Sequence, residues 1–306
     1  KSVKDAGKPV VVHIVTLKGK GYKPAEEAKE TWHWHMPFDI KTGKPLMDSD
    51  GEDYSSVTAE YLLDKMKKDK SVVAITSATP TVMGFTADKR HEAGSQFVDV
   101  GIAEETAVAL ASGIAAGGGK PVYGVYSSFI QRTYDQLSQD LCINNNPATI
   151  IVYAASVYGM NDVTHLGIYD IPMISNIPNL VYLAPTTKEE YLAMLEWSIE
   201  QNEHPVAIRV PDGEMISDGK KVSKDFSELN RYEITEKGGK IAIIGLGSFY
   251  GLACKAAKEI ESRTGVKATL INPYYITGTD DELLESLKAD HDVVITLEEG
   301  MLDGGF

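Results

Sequence analysis

The sequence predicts an α/β protein made of two consecutive, mostly parallel-sheet domains. Three observations carry that expectation. Short runs rich in Val, Ile and Ala recur along the chain, as strands buried on both faces require. Between them lie longer segments with helical spacing of apolar residues, the alternation that covers a parallel sheet with helices. A polar, broken stretch over 213–239 then divides the pattern into two sets.

Taken in order, the first apolar run is Pro9 to Thr16, read as a strand and followed by Leu17-Lys18-Gly19-Lys20-Gly21-Tyr22. A single strand cannot be a domain, so it is expected to pack on whatever remains of the chain. His13 within it reads as a core histidine. Residues 26–51 are a polar linker containing Trp32-His33-Trp34-His35-Met36-Pro37-Phe38. Histidines two apart suggest a metal pair, but no second ligand cluster accompanies them, and aromatic packing is the better reading.

The region 52–212 reads as one regular α/β domain. An amphipathic helix over 55–67 leads to strands over 71–76 and 97–100. Further strands are expected at 121–127 and 148–154, with a helix over 130–143 between them. The strands at 179–184 and 206–210 flank a helix over 187–201. The last unit, 240–306, opens with Lys240-Ile241-Ala242-Ile243-Ile244-Gly245 and continues through a helix over 250–263 and strands at 266–271 and 292–297. Its turn, Gly245 to Gly251, is one residue longer than the dinucleotide fingerprint, and no acidic residue closes the second strand, so nicotinamide is not the expected ligand.

Composition narrows the function classes. At 306 residues with 43% hydrophobic and 24% charged residues, the chain has room for two cores. A formal net charge of −14 disfavours nucleic acid and anionic membrane as partners. Two cysteines, Cys142 and Cys254, allow no disulfide framework or four-thiolate site, which fits a reducing cytoplasm. No apolar run is long enough to span a bilayer. The chain starts at Lys1 and stops in a glycine-rich turn, and the expectation is a piece of something longer.

The most informative stretch is Gln96 to Glu105, a short strand, a turn at Gly101 and a helix whose first turn carries Glu104 and Glu105. Carboxylates at a helix start are ordinary, because the macrodipole favours them. Glu104, however, follows a strand at the end where open α/β sheets place their ligands. A carboxylate held there among apolar neighbours is a candidate for sharing a proton.

The motif Asp99-Val100-Gly101-Ile102-Ala103-Glu104 resembles the pyrimidine-binding domain of thiamine-diphosphate enzymes of the transketolase group, most closely the 1-deoxy-D-xylulose-5-phosphate synthase family. The resemblance implies that Glu104 hydrogen-bonds a ring nitrogen of the cofactor's aminopyrimidine, whose imino tautomer then takes the thiazolium proton. Ile102 would line the same cofactor site. A second stretch, Tyr126-Ser127-Ser128-Phe129-Ile130-Gln131-Arg132-Thr133-Tyr134-Asp135, resembles the family nearly residue for residue. A flat aminopyrimidine needs an aromatic platform. On the resemblance Phe129 stacks on it and Tyr126 lines the site, while Arg132 and Asp135 hold the helix and an interface. The third stretch, Gly159 to Gly167, resembles the substrate-facing loop, with His165 as substrate-binding and catalytic histidine and Asn161 beside it. A linker histidine also reaches the family's site, and His33 and His35 both compete for that position.

The resemblance implies a synthase that decarboxylates pyruvate and condenses the enamine with glyceraldehyde 3-phosphate, an aldose phosphate, in the isoprenoid precursor pathway. It further implies that residues 1–25 are a remnant strand of the family's first, diphosphate-binding domain, that 240–306 are an incomplete transketolase C-terminal-type domain, and that a homodimer and Mg2+ are involved, with the metal's ligands in the missing first domain and none expected in this chain. Departures follow. Glu105-Thr106 stands where the family has Gln-His, and Ala154 and Asp212 stand where it has phosphate-facing arginines. Arginine binds phosphate by a two-pronged charged contact, which a carboxylate turns into repulsion. Arg209 is the nearby candidate to replace them. The alternatives are a transketolase-like enzyme with a different or non-phosphorylated acceptor, and a non-catalytic assembly fragment.

Overall fold

The computed structural model describes residues 3–46, 51–157, 163–213, 215–222 and 224–306. The chain divides into two compact units, Lys1–Asp50 and Gly51–Phe306. In the first, one short helix, α1 (Lys23–Glu27), begins at a proline that needs no amide partner. Around it an aromatic cluster forms, with the His35 ring stacked on Trp32 at 4.5 Å and Phe38 edge-on to Trp32 at 4.8 Å. The expected strand over 9–16 is absent. Val11 is 94% and Val15 83% exposed, because no described strand offers this run a hydrogen-bonded neighbour.

The second unit opens with α2 (Tyr54–Lys68), whose first turn is capped by Asp53 accepting from the Ser56 amide. It continues through β1 (Val72–Thr76), α3 (Ala87–Ala93), β2 (Phe97–Asp99), α4 (Glu104–Ala116), β3 (Lys120–Tyr126) and β4 (Thr149–Tyr153). Then come α5 (Asp170–Ile174), β5 (Val181–Leu183), α6 (Lys188–Glu200) and β6 (Val206–Arg209). These strands form a six-stranded, all-parallel sheet in the order β2-β1-β3-β4-β6-β5. One face buries Leu62, Met66, Tyr191 and Leu195 against it, and the other Val108, Ala111, Leu137 and Leu141.

The helix expected over 130–143 is instead a 3-10 turn, Ile130–Thr133, followed by a π-helix, Gln136–Cys142. The Ser112 hydroxyl of α4 donates to the Asp140 carbonyl at 2.6 Å, which also accepts from the Asn144 side-chain amide at 2.9 Å.

A mixed four-stranded sheet follows. Its elements are β7 (Glu233–Glu236), β8 (Lys240–Gly245), α7 (Tyr250–Thr264), β9 (Thr269–Asn272), α8 (Asp281–Ser286) and β10 (His291–Leu297). The order is β10-β8-β9-β7, with β7 antiparallel to β9. β7 lies inside the stretch read as a linker; all four of its residues are exposed, so it carries no apolar signature.

Strand order sets the site. The chain leaves β1 for β2 at the edge and returns to β3 on the other side of β1, which makes β1/β3 the switch point where the carboxyl ends of the strands open a crevice. Both stretches singled out in the sequence, the one following β2 and the one following β3, emerge at that end.

Candidate active site

Glu104 is the first residue of α4 and is 3% exposed. Its position is fixed from below by Asp99, whose Oδ1 accepts from the amides of Gly101 and Ala78, both at 2.9 Å. That side chain ties the turn after β2 to the turn after β1. Gly101 adopts a left-handed φ of 74°, which a side-chained residue adopts only at a cost. The Oε2 atom of Glu104 is buried without a hydrogen-bond partner among the described residues. Arg132 Nη1 lies 3.3 Å from it as an ion pair outside hydrogen-bond geometry, while Arg132 Nε donates to Glu105 Oε1 at 3.0 Å. The Glu105 carboxyl sits below its usual range, chiefly through its own backbone amide and then through Arg132. Arg132 thus serves the carboxylates at the head of α4, and Asp135 is exposed.

Beyond β3, three rings meet. Tyr126 and Phe129 are edge-to-face at 5.2 Å, and the His165 ring sits 5.8 Å from Tyr126 and 5.3 Å from Phe129. The His165 Nδ1 and the Thr164 hydroxyl are 2.8 Å apart. Gly167 explains how this loop reaches the strand end: a Cβ there would lie 2.1 Å from the Ala154 carbonyl oxygen and 2.7 Å from Ser127 Oγ. Only glycine allows that approach. Ser127 Oγ and Ser128 Oγ are buried without partners among the described residues, two polar atoms that sequence reasoning did not single out.

Next to Tyr126 is a cavity of about 100 Å³, lined among others by Asp53, Tyr153, Ala154, Pro211 and Asp212. Burial first, and then the Asp53 carboxylate, raises the Asp212 carboxyl above its ordinary range. Burial and the charge of Asp212 likewise push up the Tyr126 phenol. The cavity wall is therefore acidic, and Ala154 contributes no cation.

Arg209 does not replace the missing arginines, which corrects the expectation that it meets substrate. It is 4% exposed, and its guanidinium is committed. Nε donates to Asp170 Oδ2 at 2.7 Å, Nη1 to Glu299 Oε1 at 3.1 Å and Nη2 to the Gly167 carbonyl at 3.4 Å. Tyr182 donates to the same Asp170 oxygen at 2.5 Å, and the hydroxyls of Ser156 and Ser248 bond Glu299. Arg209 thus braces the His165 loop from behind and joins the six-stranded sheet to the segment after β10.

The remaining candidates are placed as follows. Ile102 is 78% exposed at the lip of the turn before α4. Asn161 lies outside the described residues. His33 and His35 belong to the first unit, where Lys18 contacts the His33 ring and His35 Nδ1 lies 2.9 Å from the Met36 carbonyl oxygen.

The orphaned Glu104 oxygen and the ring cluster fit an aminopyrimidine, which needs one buried carboxyl oxygen to share a proton with a ring nitrogen and an apolar, aromatic surface. Among the described residues no group of His, Cys, Asp and Glu is arranged to hold a metal ion.

Comparison with known proteins gives a consistent picture. A family model described as the transketolase pyrimidine-binding domain matches residues 51–216, and one described as the transketolase C-terminal domain matches residues 230–306. The chain is 40% identical over 298 residues to a 1-deoxy-D-xylulose-5-phosphate synthase of Clostridium perfringens, covering 97% of this chain and 48% of that protein. It is 38% identical over 306 residues to the synthase of Lachnoclostridium phytofermentans, again covering 48% of the relative. The chain thus spans about half the length of the curated relatives it matches. Among solved structures, a split-gene transketolase described as an inactive beta4 tetramer aligns with TM-score 0.68 at 22% identity, covering 83% of this chain and 82% of that one. A Pichia stipitis transketolase in complex with sedoheptulose 7-phosphate aligns with TM-score 0.69 at 18% identity, covering 94% and 45%. These two likenesses concern the fold alone.

Two substitutions test the scaffold of the site. Arg209→Met leaves Asp170 and Glu299 buried without their cation and is expected to lower unfolding free energy by about 3–5 kcal/mol in urea titrations. Gly167→Ala forces the His165 loop off Ala154 and is expected to cost about 1–3 kcal/mol in the same measurement.

Proposed function

The chain belongs to the transketolase family, and from that premise we propose that it supplies the pyrimidine-binding part of a thiamine-diphosphate-dependent synthase. The reaction proposed is decarboxylation of pyruvate followed by carbon–carbon bond formation with glyceraldehyde 3-phosphate. The observation that carries the proposal is the buried Glu104 carboxylate, with its unpartnered Oε2, at the switch point of the parallel sheet. Similarity to the synthases supports the reaction class.

When bound, thiamine diphosphate supplies the carbon nucleophile and the sink for the electrons released by decarboxylation. This chain's residues do the rest at the pyrimidine end. Glu104 accepts a hydrogen bond at a ring nitrogen and shares its proton there. Phe129 and Tyr126 present ring faces and edges that fix the plane of the pyrimidine and exclude water. His165, held among these rings, donates to or takes a proton from substrate oxygen. Magnesium and the diphosphate are assigned to residues outside this chain, and two copies are proposed to assemble as a homodimer.

A second reading concerns the acceptor. The Asp53 and Asp212 carboxylates on the cavity wall, Ala154, and the commitment of Arg209 to its buried network favour an aldehyde without phosphate. A phosphate facing two carboxylates is repelled unless a cation intervenes.

The test is turnover of the natural full-length protein with thiamine diphosphate, magnesium and pyruvate, offering glyceraldehyde 3-phosphate and glyceraldehyde in parallel. Glu104→Gln is expected to lower kcat by about 100-fold or more with either aldehyde. A preference for the phosphorylated aldehyde supports the synthase reaction as stated, and equal or better turnover of glyceraldehyde supports the second reading. Pyruvate consumption unaffected by Glu104→Gln refutes both.

A further inference from the structure

Arg132 makes contacts that the proposed reaction leaves unused. It stands on the 3-10 turn directly after Phe129, with its side chain 51% exposed, yet it reaches across to the head of α4 and meets two carboxylates there. Nε is bound to Glu105 Oε1 in a hydrogen bond of ordinary length, and Nη1 is left beside Glu104 Oε2, the atom with no hydrogen-bond partner. The planar guanidinium fixes the geometry: once one edge is bound to Glu105, its other nitrogens are no longer free to choose a direction. The buried Tyr123 phenol of β3 faces the same two carboxylates and Arg132, and is itself bonded to Ser77 at 2.9 Å.

Resting on the cofactor reading given above, we propose that Arg132, tethered by Glu105, is a positioning residue for Glu104. It holds the buried carboxylate oriented toward the crevice before the aminopyrimidine arrives. Without it, Glu104 Oε2 has no described partner to restrain it, and a long carboxylate side chain regains rotamers that the bound state has to remove. Because the tether runs from the Phe129 turn to α4, it also sets the spacing between the aromatic platform and the acceptor. A glutamate at position 105 anchors this tether with a charge-assisted bond that a neutral amide does not match. The proposal gives Arg132 a duty toward the cofactor end of the site and none toward the acceptor aldehyde.

The test uses the natural full-length protein with magnesium, comparing Arg132→Gln, Arg132→Lys and Glu105→Gln with the wild type. The readouts are the dissociation constant for thiamine diphosphate, the near-ultraviolet circular dichroism of the bound cofactor, the KM for the aldehyde and the thermal midpoint of the apoprotein. Expected are about a tenfold or greater weakening of cofactor binding in Arg132→Gln and Glu105→Gln and partial rescue in Arg132→Lys, with unchanged aldehyde KM. Arg132 is half exposed, so the thermal midpoint is expected to stay within a few degrees. A raised aldehyde KM with unchanged cofactor binding overturns the proposal and makes Arg132 a substrate contact. Unchanged cofactor binding in Glu105→Gln alone overturns the tether. A wild-type protein that binds no thiamine diphosphate refutes the cofactor reading itself, and the inference with it.

Discussion

A carboxylate taken out of water is the constraint on which the rest of this site depends. Burying an ionised group costs several kcal/mol unless charge and hydrogen bonds compensate. Glu104 meets that demand in three ways. It sits on the first turn of α4, where free amides and the helix dipole favour negative charge. The turn beneath it is held by Asp99 to the neighbouring strand end, so it has little freedom to move the carboxylate into solvent. Arg132 then brings a positive charge to within 3.3 Å. What none of these supplies among the described residues is a full hydrogen bond to Oε2.

The same accounting governs Arg209, with the sign reversed. A buried guanidinium has five donors to satisfy, and here three of them go to Asp170, Glu299 and the Gly167 carbonyl. The consequence reaches the site indirectly. Because Gly167 is two residues from His165, the carbonyl that accepts from Arg209 also sets the height of the histidine loop. Because Glu299 follows β10, the mixed sheet is joined to the same cation. The second sheet therefore contributes to the active-site region without a side chain in the crevice.

The sheet architecture was legible because parallel strands must be apolar on both faces, and runs such as Thr149–Tyr153 are buried throughout. Tyr126, Phe129 and His165 were read from separate motifs, and their rings do meet. The strand over 9–16 was misread for the reason that made it attractive: its pattern demands a sheet, and the described residues provide none for it. β7 was invisible because a fully exposed edge strand leaves no hydrophobic period. The segment over 130–143 has helical spacing, but spacing does not separate an α-helix from the 3-10 turn and π-helix that form there. Arg209 failed in the most instructive way. An arginine at the end of a strand near a ligand crevice suggests phosphate, and its partners Asp170 and Glu299 stand 39 and 90 residues away. Long-range charge pairing is not written in any local pattern.

That pairing bears directly on the acceptor. Two unit charges about 4 Å apart interact by about 4 kcal/mol at the effective dielectric of a protein surface, and the sign decides whether a phosphate is drawn in or kept out. Around the cavity beside Tyr126 the sign is negative: Asp53 and Asp212 stand on its wall, and burial and then Asp53 make the Asp212 charge more costly. Arg209, the cation nearest in sequence, is neutralised by two carboxylates of its own and contributes no net attraction. Arg132 is also paired, with Glu104 and Glu105. An anionic acceptor entering this cavity would have to break one of those pairs or bring a cation with it, whereas a hydroxylated aldehyde would meet carboxylates and tyrosine hydroxyls that accept and donate hydrogen bonds without an electrostatic penalty. The carboxylates on this cavity wall and the ion pairs at the head of α4 are thus separately encoded, the first by Asp53 and Asp212 and the second by Glu104, Glu105 and Arg132.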